Sequence, residues 1–345
     1  MRQLTEQQAL HAVDSEQLYE AWLANRRRVL EHRHGMRWVR SGGKEYLVRV
    51  TDAQRNGRSL GPRSHETEHI FHEFQAAKAR ADEGEKKLRE RMAQQIRLNK
   101  ALRLGRAPAL VGEILRELDL RAAGEFAVVG AHALYGYEAL AGAHMVTELL
   151  ASGDVGLLVD GRKKLSILTG KLAPDGLIGL LRGVDKSFGP IAEGSFRAVN
   201  EKGFMVDFLV QPRDMREPGP IRPVPNDLVA VEIEGLQWLV NAPQVRTVGI
   251  AADGMPYGMR VPDPRVFALH KAWLSQRVDR EPLKKGRDLA QARALANLVV
   301  DRLPQFPLDQ GFLASLPHQL RERLPLLGLG PDEAQIEGPS RMPGG

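Results

Sequence analysis

The rhythm of apolar and polar positions changes twice along the 345 residues. Over residues 1–120 the pattern is mostly helical and strongly charged. Leu18, Tyr19, Trp22, Leu23 and Leu30 recur at helical spacing and predict a helix whose apolar face packs against the body of the protein. Two alternating runs, MRWVR and EYLVRV, flank Ser41, Gly42, Gly43 and Lys44 and predict a hairpin around a glycine turn. Residues 55–64, RNGRSLGPRS, read as a basic loop without regular structure. Residues 66–104 predict one long helix, or a helical hairpin broken near Gly84. Its apolar positions are sparse, which suits either packing along one face or an RNA-facing arm; packing is the expectation, because long charged helices are commonly solvated on one side.

Residues 121–265 change character. A short apolar strand, Phe126 to Val129, ends at Gly130, and residues 131–150 read as a helix. Residues 153–159 form a second strand candidate, and a helical stretch follows over 165–182. Residues 196–199 and 204–210 then read as a hairpin about the turn 200–203. A proline-rich loop, 211–226, precedes another strand-rich piece, 228–261. Strand, helix, strand, helix, hairpin is the order of a mixed sheet with helices on one side. Residues 266–336 read as a C-terminal helical region, with helices over 267–276 and 285–303, and 337–345 as a disordered tail.

Composition narrows the partners. The formal net charge is +6 and the pI about 9.6, a balance that favours phosphate-bearing partners. Cysteine is absent, the N-terminus lacks the basic-then-apolar pattern of a signal peptide, and no apolar run approaches a membrane span, so a cytoplasmic protein is expected.

The step from strand to helix at Gly130 presents free backbone amides at a helix N-terminus, where a phosphate is favoured. Glycine there serves equally well to make a tight turn. Asp154 starts the next strand, and Asp207 sits in the otherwise apolar Met205–Leu209, where a carboxylate is costly unless paired or metal-bound. Nucleotidyl transfer uses such acids to hold divalent ions that align the attacking hydroxyl and steady the phosphates. Residues i and i+2 of a strand share a face, so two acids at that spacing grip a metal together, with a third acid supplied by a neighbouring strand. Glu66, His69, His72 and Glu73 also sit at helical spacing that could bind a metal, but a solvated face is the stronger reading.

Val128-Val129-Gly130-Ala131-His132-Ala133-Leu134, Gly153-Asp154-Val155-Gly156-Leu157-Leu158 and Gly203-Phe204-Met205-Val206-Asp207 occur in that order. Together they resemble the bacterial nucleotidyltransferase-fold family related to AbiEii-type toxins, within the DNA polymerase β superfold. Residues 263–271 and 284–289 resemble its C-terminal Lys and Arg-Asp-Leu signature, and residues 57–64 resemble an accompanying N-terminal segment, so the likeness covers about 18–305. It implies an α+β fold, with a polymerase β-like core flanked by N-terminal and C-terminal helical segments. It implies that Asp154 and Asp207 are catalytic and bind Mg2+ or Mn2+, and that Gly130, Ala131, His132, Lys271, Arg287 and Asp288 meet the nucleotide. The implied reaction moves a nucleoside monophosphate from a nucleoside triphosphate to RNA, a protein or a small molecule, and an antitoxin-like protein is an implied partner.

Two positions depart from the family pattern. Gly156 stands where a second metal-binding acid belongs, and Ala131 where a hydroxyl often meets phosphate. Asp160 shares the face of Asp154 but lies further along, roughly 13 Å beyond position 156. The departures open an alternative, a catalytically impaired relative that retains nucleotide or nucleic-acid binding. A third reading is an interaction protein that works through its long N-terminal helix.

Overall fold

The computed structural model describes residues 1–52, 54–150, 152–162, 172, 176–213 and 221–329. Most of the helix expected before residue 176 and the tail expected over 337–345 lie outside the described residues. The chain forms two compact units, one of residues 11–103 and one of residues 1–10 with 104–345.

In the smaller unit, α1 (Glu6–Glu31) and α2 (His65–Ala101) pair along their length. Helix α2 is unbroken through Gly84 and spans roughly 55 Å. Its sparse apolar pattern is explained by polar rungs in the seam. Ser15 Oγ lies 2.9 Å from Asn99 Oδ1, Gln95 Nε2 donates to Ser15 Oγ at 3.0 Å, and Asn25 Nδ2 donates to the Ala81 carbonyl. Leu18, Tyr19 and Leu23 are buried in this unit. Ser64 and Thr67 form a reciprocal capping box that starts α2. The expected hairpin is β2 (Met36–Ser41) with β3 (Lys44–Val50), paired Ser41 to Lys44. The segment read as an irregular loop contains a third strand, β4 (Gly57–Pro62). It pairs only with β3, and an edge strand tolerates glycine and proline because half its ladder is unused.

The larger unit is a mixed α+β body. Its main sheet runs in the order β5 (Phe126–Val129), β7 (Asp154–Val159), β10 (Met205–Val210), β9 (Arg197–Val199), β8 (Gly189–Pro190), and β11 (Val231–Glu232) continues beside the far end of β10. Strands β7 and β10 are parallel; β5 and β9 run antiparallel to them. The central strands are buried along most of their length, as near-continuous apolar runs require. The strand β1 (Arg2–Gln3) pairs with β6 (Ala143–His144). Helix α3 (Ala109–Arg121) packs on the hairpin β12 (Gln244–Ile250) and β13 (Pro256–Pro262), as does α4 (Ala133–Ala141), which ends well short of the expected residue 150. Helix α5 (Gly176–Val184) is capped by Asp227, which accepts from the amides of Leu177 and Ile178. After the short α6 (Leu236–Asn241) come α7 (Pro264–Gln276) and α8 (Pro282–Arg302), which pack closely on each other, with α8 also against α4. The smaller helices α9 (Gln310–Ser315) and α10 (His318–Arg321) follow. Residues 104–120 and the C-terminal helices therefore belong to the same compact unit as the sheet. Among the described residues no helix is long and apolar enough to cross a membrane.

One core histidine carries a pH signature. His270 lies 5 % exposed among Trp238, Phe267 and Trp273, and neither ring nitrogen has a hydrogen-bond partner. Burial, helped by the neighbouring Lys271 charge, lowers its pKa from 6.5 to about 3. The folded chain thus keeps this imidazole neutral where the unfolded chain protonates it. Below the unfolded pKa, stability falls by about 1.4 kcal/mol per pH unit until the folded pKa is reached. Urea unfolding at pH 7, 6 and 5 is expected to show His270→Phe losing less stability than the natural chain, by about 0.7 kcal/mol from pH 7 to 6 and about 1.2 kcal/mol from pH 6 to 5. Equal slopes would remove His270 as the cause.

Candidate functional site

The register of the sheet gathers the chemistry. Parallel pairing sets Met205 opposite Asp154 and Asp207 opposite Gly156, so both acids project from one face. Antiparallel pairing sets Val129 opposite Gly156 on one side and Arg197 opposite Asp207 on the other. One row across four strands therefore reads Val129, Gly156, Asp207, Arg197.

Asp207 is 7 % exposed, and the charge that sequence reasoning required for it is Arg197. Arg197 Nε and Nη2 each donate to one Asp207 carboxylate oxygen at 2.6 Å, a bidentate pair. The hydrogen bonds that Arg197 donates to Asp207, with a further contribution from the charge of Asp154, raise the Arg197 pKa above its ordinary value. Asp154 is half-buried and accepts from Ser152 Oγ.

Gly156 is closed rather than vacant. A Cβ there would lie 2.9 Å from Val129 Cγ2 and 3.1 Å from Leu209 Cδ1, so apolar side chains fill the space an acid would need. Asp160 does not compensate. It lies beyond the far end of β7, ion-paired with Arg162 at 2.9 Å and accepting from Gln211 at 3.2 Å.

The step from β5 to α4 is made at a glycine turn. Gly130 has φ +76°, which glycine adopts without strain, and an added Cβ would meet nothing within 4 Å. Ala131 is buried at the turn. His132 follows, 1 % exposed, between Tyr135 and Phe204 with ring centroids 5.8 and 6.0 Å away. Its Nδ1 lies 2.8 Å from the carbonyl oxygen of Asp154. A carbonyl only accepts, so Nδ1 carries the proton and Nε2, which has no partner, keeps a lone pair. Burial, with a smaller contribution from the Arg287 charge, pushes the His132 pKa down and favours a neutral ring, although the hydrogen bond to Asp154 and its charge pull the other way.

Lys271 and Asp288 are paired with each other inside the fold. Both are buried, and Lys271 Nζ donates to Asp288 Oδ1 at 2.8 Å while Arg280 Nε donates to Oδ2 at 2.8 Å. The amine expected to face the cleft is consumed in joining α7 to α8. Burial lowers the Lys271 pKa; it pushes Asp288 upward, but Lys271 and Arg280 together outweigh it and hold that carboxyl below its ordinary value.

A pair of divalent ions needs more oxygen ligands than this face offers. Both oxygens of Asp207 are engaged by a guanidinium, position 156 supplies none, and among the described residues no group of three or more His, Cys, Asp or Glu could hold a metal. The residues present do not fit the two-cation arrangement. The helical cluster near His69 is likewise surface chemistry, with His69 and Glu73 paired and exposed.

A nucleotidyltransferase family model matches residues 109–315. The chain belongs to the nucleotidyltransferase family. Comparison with curated proteins and with solved structures gives no match. The matched nucleotidyltransferase span opens at α3 and closes with α9, so it takes in the main sheet, the glycine turn, both acids, Arg197 and the α7–α8 pair. The smaller unit lies outside it.

Proposed function

We propose that this face binds a nucleoside triphosphate and moves its nucleoside monophosphate to an acceptor hydroxyl, with Arg197 supplying positive charge that relatives of this fold draw from a metal. The observation that carries the reading is the row in which Asp207 anchors Arg197 beside Asp154. Arg197 uses Nε and one Nη2 hydrogen on Asp207, and a guanidinium has five donors, so the Nη1 edge is left to meet phosphate. The amides at the Gly130 turn and Arg287 add further positive potential. In the reaction the acceptor oxygen forms a bond to the α-phosphorus, the bond from that phosphorus to the bridging oxygen breaks, and pyrophosphate leaves with the electron pair. The hydroxyl proton passes to the carboxylate of Asp154, half-buried on the same face as Asp207. No step is assigned to magnesium or manganese. The acceptor is RNA, a protein or a small molecule, and the likeness to AbiEii-type toxins makes an antitoxin-like protein the partner to seek.

The closed space at Gly156 favours a second reading, nucleotide binding without transfer. Incubating the chain with each α-labelled nucleoside triphosphate and pools of RNA, protein and metabolites separates the two. Label in an acceptor, lost in Asp154→Asn, is the expected result. Binding by equilibrium dialysis without transfer establishes the second reading, and absence of both overturns the assignment of this face.

A further inference from the structure

The positive charge of the chain is concentrated in one short stretch. Residues 26–63 hold eleven Lys and Arg against three Asp and Glu, a net of +8, while the whole chain carries +6, so the remainder is net negative. Most of this stretch is the three-stranded sheet of the smaller unit. One face of that sheet is spoken for: Leu47 is fully buried, Trp38 stacks near Phe71 and Arg49 lies over the Phe74 ring, all against α2. By strand alternation the opposite face carries Arg37, Val39, Lys44, Tyr46 and Val48. Val39, Tyr46 and Val48 are half-buried, and Arg37 and Lys44 are exposed.

The acids of the stretch do not neutralise this face. Glu45 is paired with Arg63 at 2.7 Å, and Asp52 accepts from Asn56 at 2.8 Å. Arg37 donates to the Arg55 carbonyl at 3.3 Å, which draws the Arg55 turn toward the opposite end of the face from Lys44. Arg37, Lys44 and Arg55 form no ion pair among the described residues. Tyr46 thus lies among aliphatic side chains, with cations at both ends of its face. Arg37 and the residue facing Lys44 are four positions apart on β2, roughly 13 Å, a span of about two nucleotides.

We infer that this face binds single-stranded RNA, with Tyr46 stacking a base and Arg37, Lys44 and Arg55 holding the flanking phosphates. A sheet face with an aromatic platform and flanking cations suits unstacked bases, whose faces are free to stack on Tyr46 as those of paired bases inside a duplex are not. RNA is the source because the single strands a cell holds in quantity are RNA. The inference is independent of whether the acids on the larger unit transfer a nucleotide.

Fluorescence anisotropy of the full chain with a labelled 12-nucleotide RNA, the same sequence as DNA, and an RNA duplex tests it, each at 50 and 200 mM salt. The single-stranded RNA is expected to bind tightest. The triple variant Arg37→Gln, Lys44→Gln, Arg55→Gln is expected to bind it at least about 10-fold more weakly, with a salt slope shallower by about 2, near 0.7 per lost charge. Tyr46→Ala is expected to weaken binding about 10-fold at unchanged slope. All four side chains lie on the solvent side, and circular dichroism melting checks that each variant keeps the fold. Equal affinity for duplex or DNA, or unchanged affinity in either folded variant, overturns the proposal.

Discussion

Arg197→Ala is expected to turn the Asp154–Asp207 pair into a site for a divalent ion while weakening triphosphate binding. Removing the guanidinium frees both oxygens of a carboxylate that is 7 % exposed, and a buried anion without a partner recruits a cation or a proton. Titration calorimetry with Mn2+ is expected to give saturable binding in the variant and none in the natural chain. The lost charge-assisted contacts to phosphate correspond to about 10–100-fold in nucleotide affinity. Because the Arg197 side chain is 31 % exposed, the accompanying loss of stability is moderate, about 1–3 kcal/mol. Mn2+ binding by the natural chain that is as tight as in Arg197→Ala would instead show that the guanidinium does not keep a metal from the acids.

Asp288→Ala is expected to be the most destabilising single change in the α7–α8 pair. It strands Lys271, 5 % exposed, without a counter-charge, at a cost of about 3–5 kcal/mol. For a unit of this size that lowers the melting temperature by roughly 10 °C. The double variant Lys271→Met, Asp288→Leu is expected to recover most of the loss, because two apolar side chains replace the pair and Arg280, 32 % exposed, can turn to solvent. Nucleotide affinity of that double variant is expected to match the natural chain. A folded Lys271→Met variant with no nucleotide binding would restore the direct contact expected from sequence. Acid adds a check: with the Asp288 carboxyl held below its ordinary value, its contribution is present above the unfolded pKa and is lost as pH falls below about 4.

What the sequence disclosed follows the physics of each signal. Period-two alternation suffices to place Asp154 and position 156 on one face, and an acid in an apolar strand announces a need for a partner. The identity of the partner depends on register. A turn over 200–203 would pair Val199 with Phe204 and leave Arg197 opposite Val206, on the wrong face; the actual pairing of Val199 with Met205 shifts the ladder by one residue and brings Arg197 to Asp207. Loop length at that resolution is not written in residue types. Lys271 misled for a different reason: α7 is buried nearly all round, so its periodicity points to no single inward face. The strand at 57–62 was hidden because glycine and proline argue against pairing, and only its edge position makes them harmless.

The packing around position 156 constrains substitution at that point of the sheet. An aspartate introduced there would meet Val129 Cγ2 and Leu209 Cδ1 at its first side-chain carbon, so a third acid at 156 requires those two side chains, on the strands to either side, to move aside. With that space occupied, the counter-charge to Asp207 comes from the neighbouring strand β9 as a guanidinium.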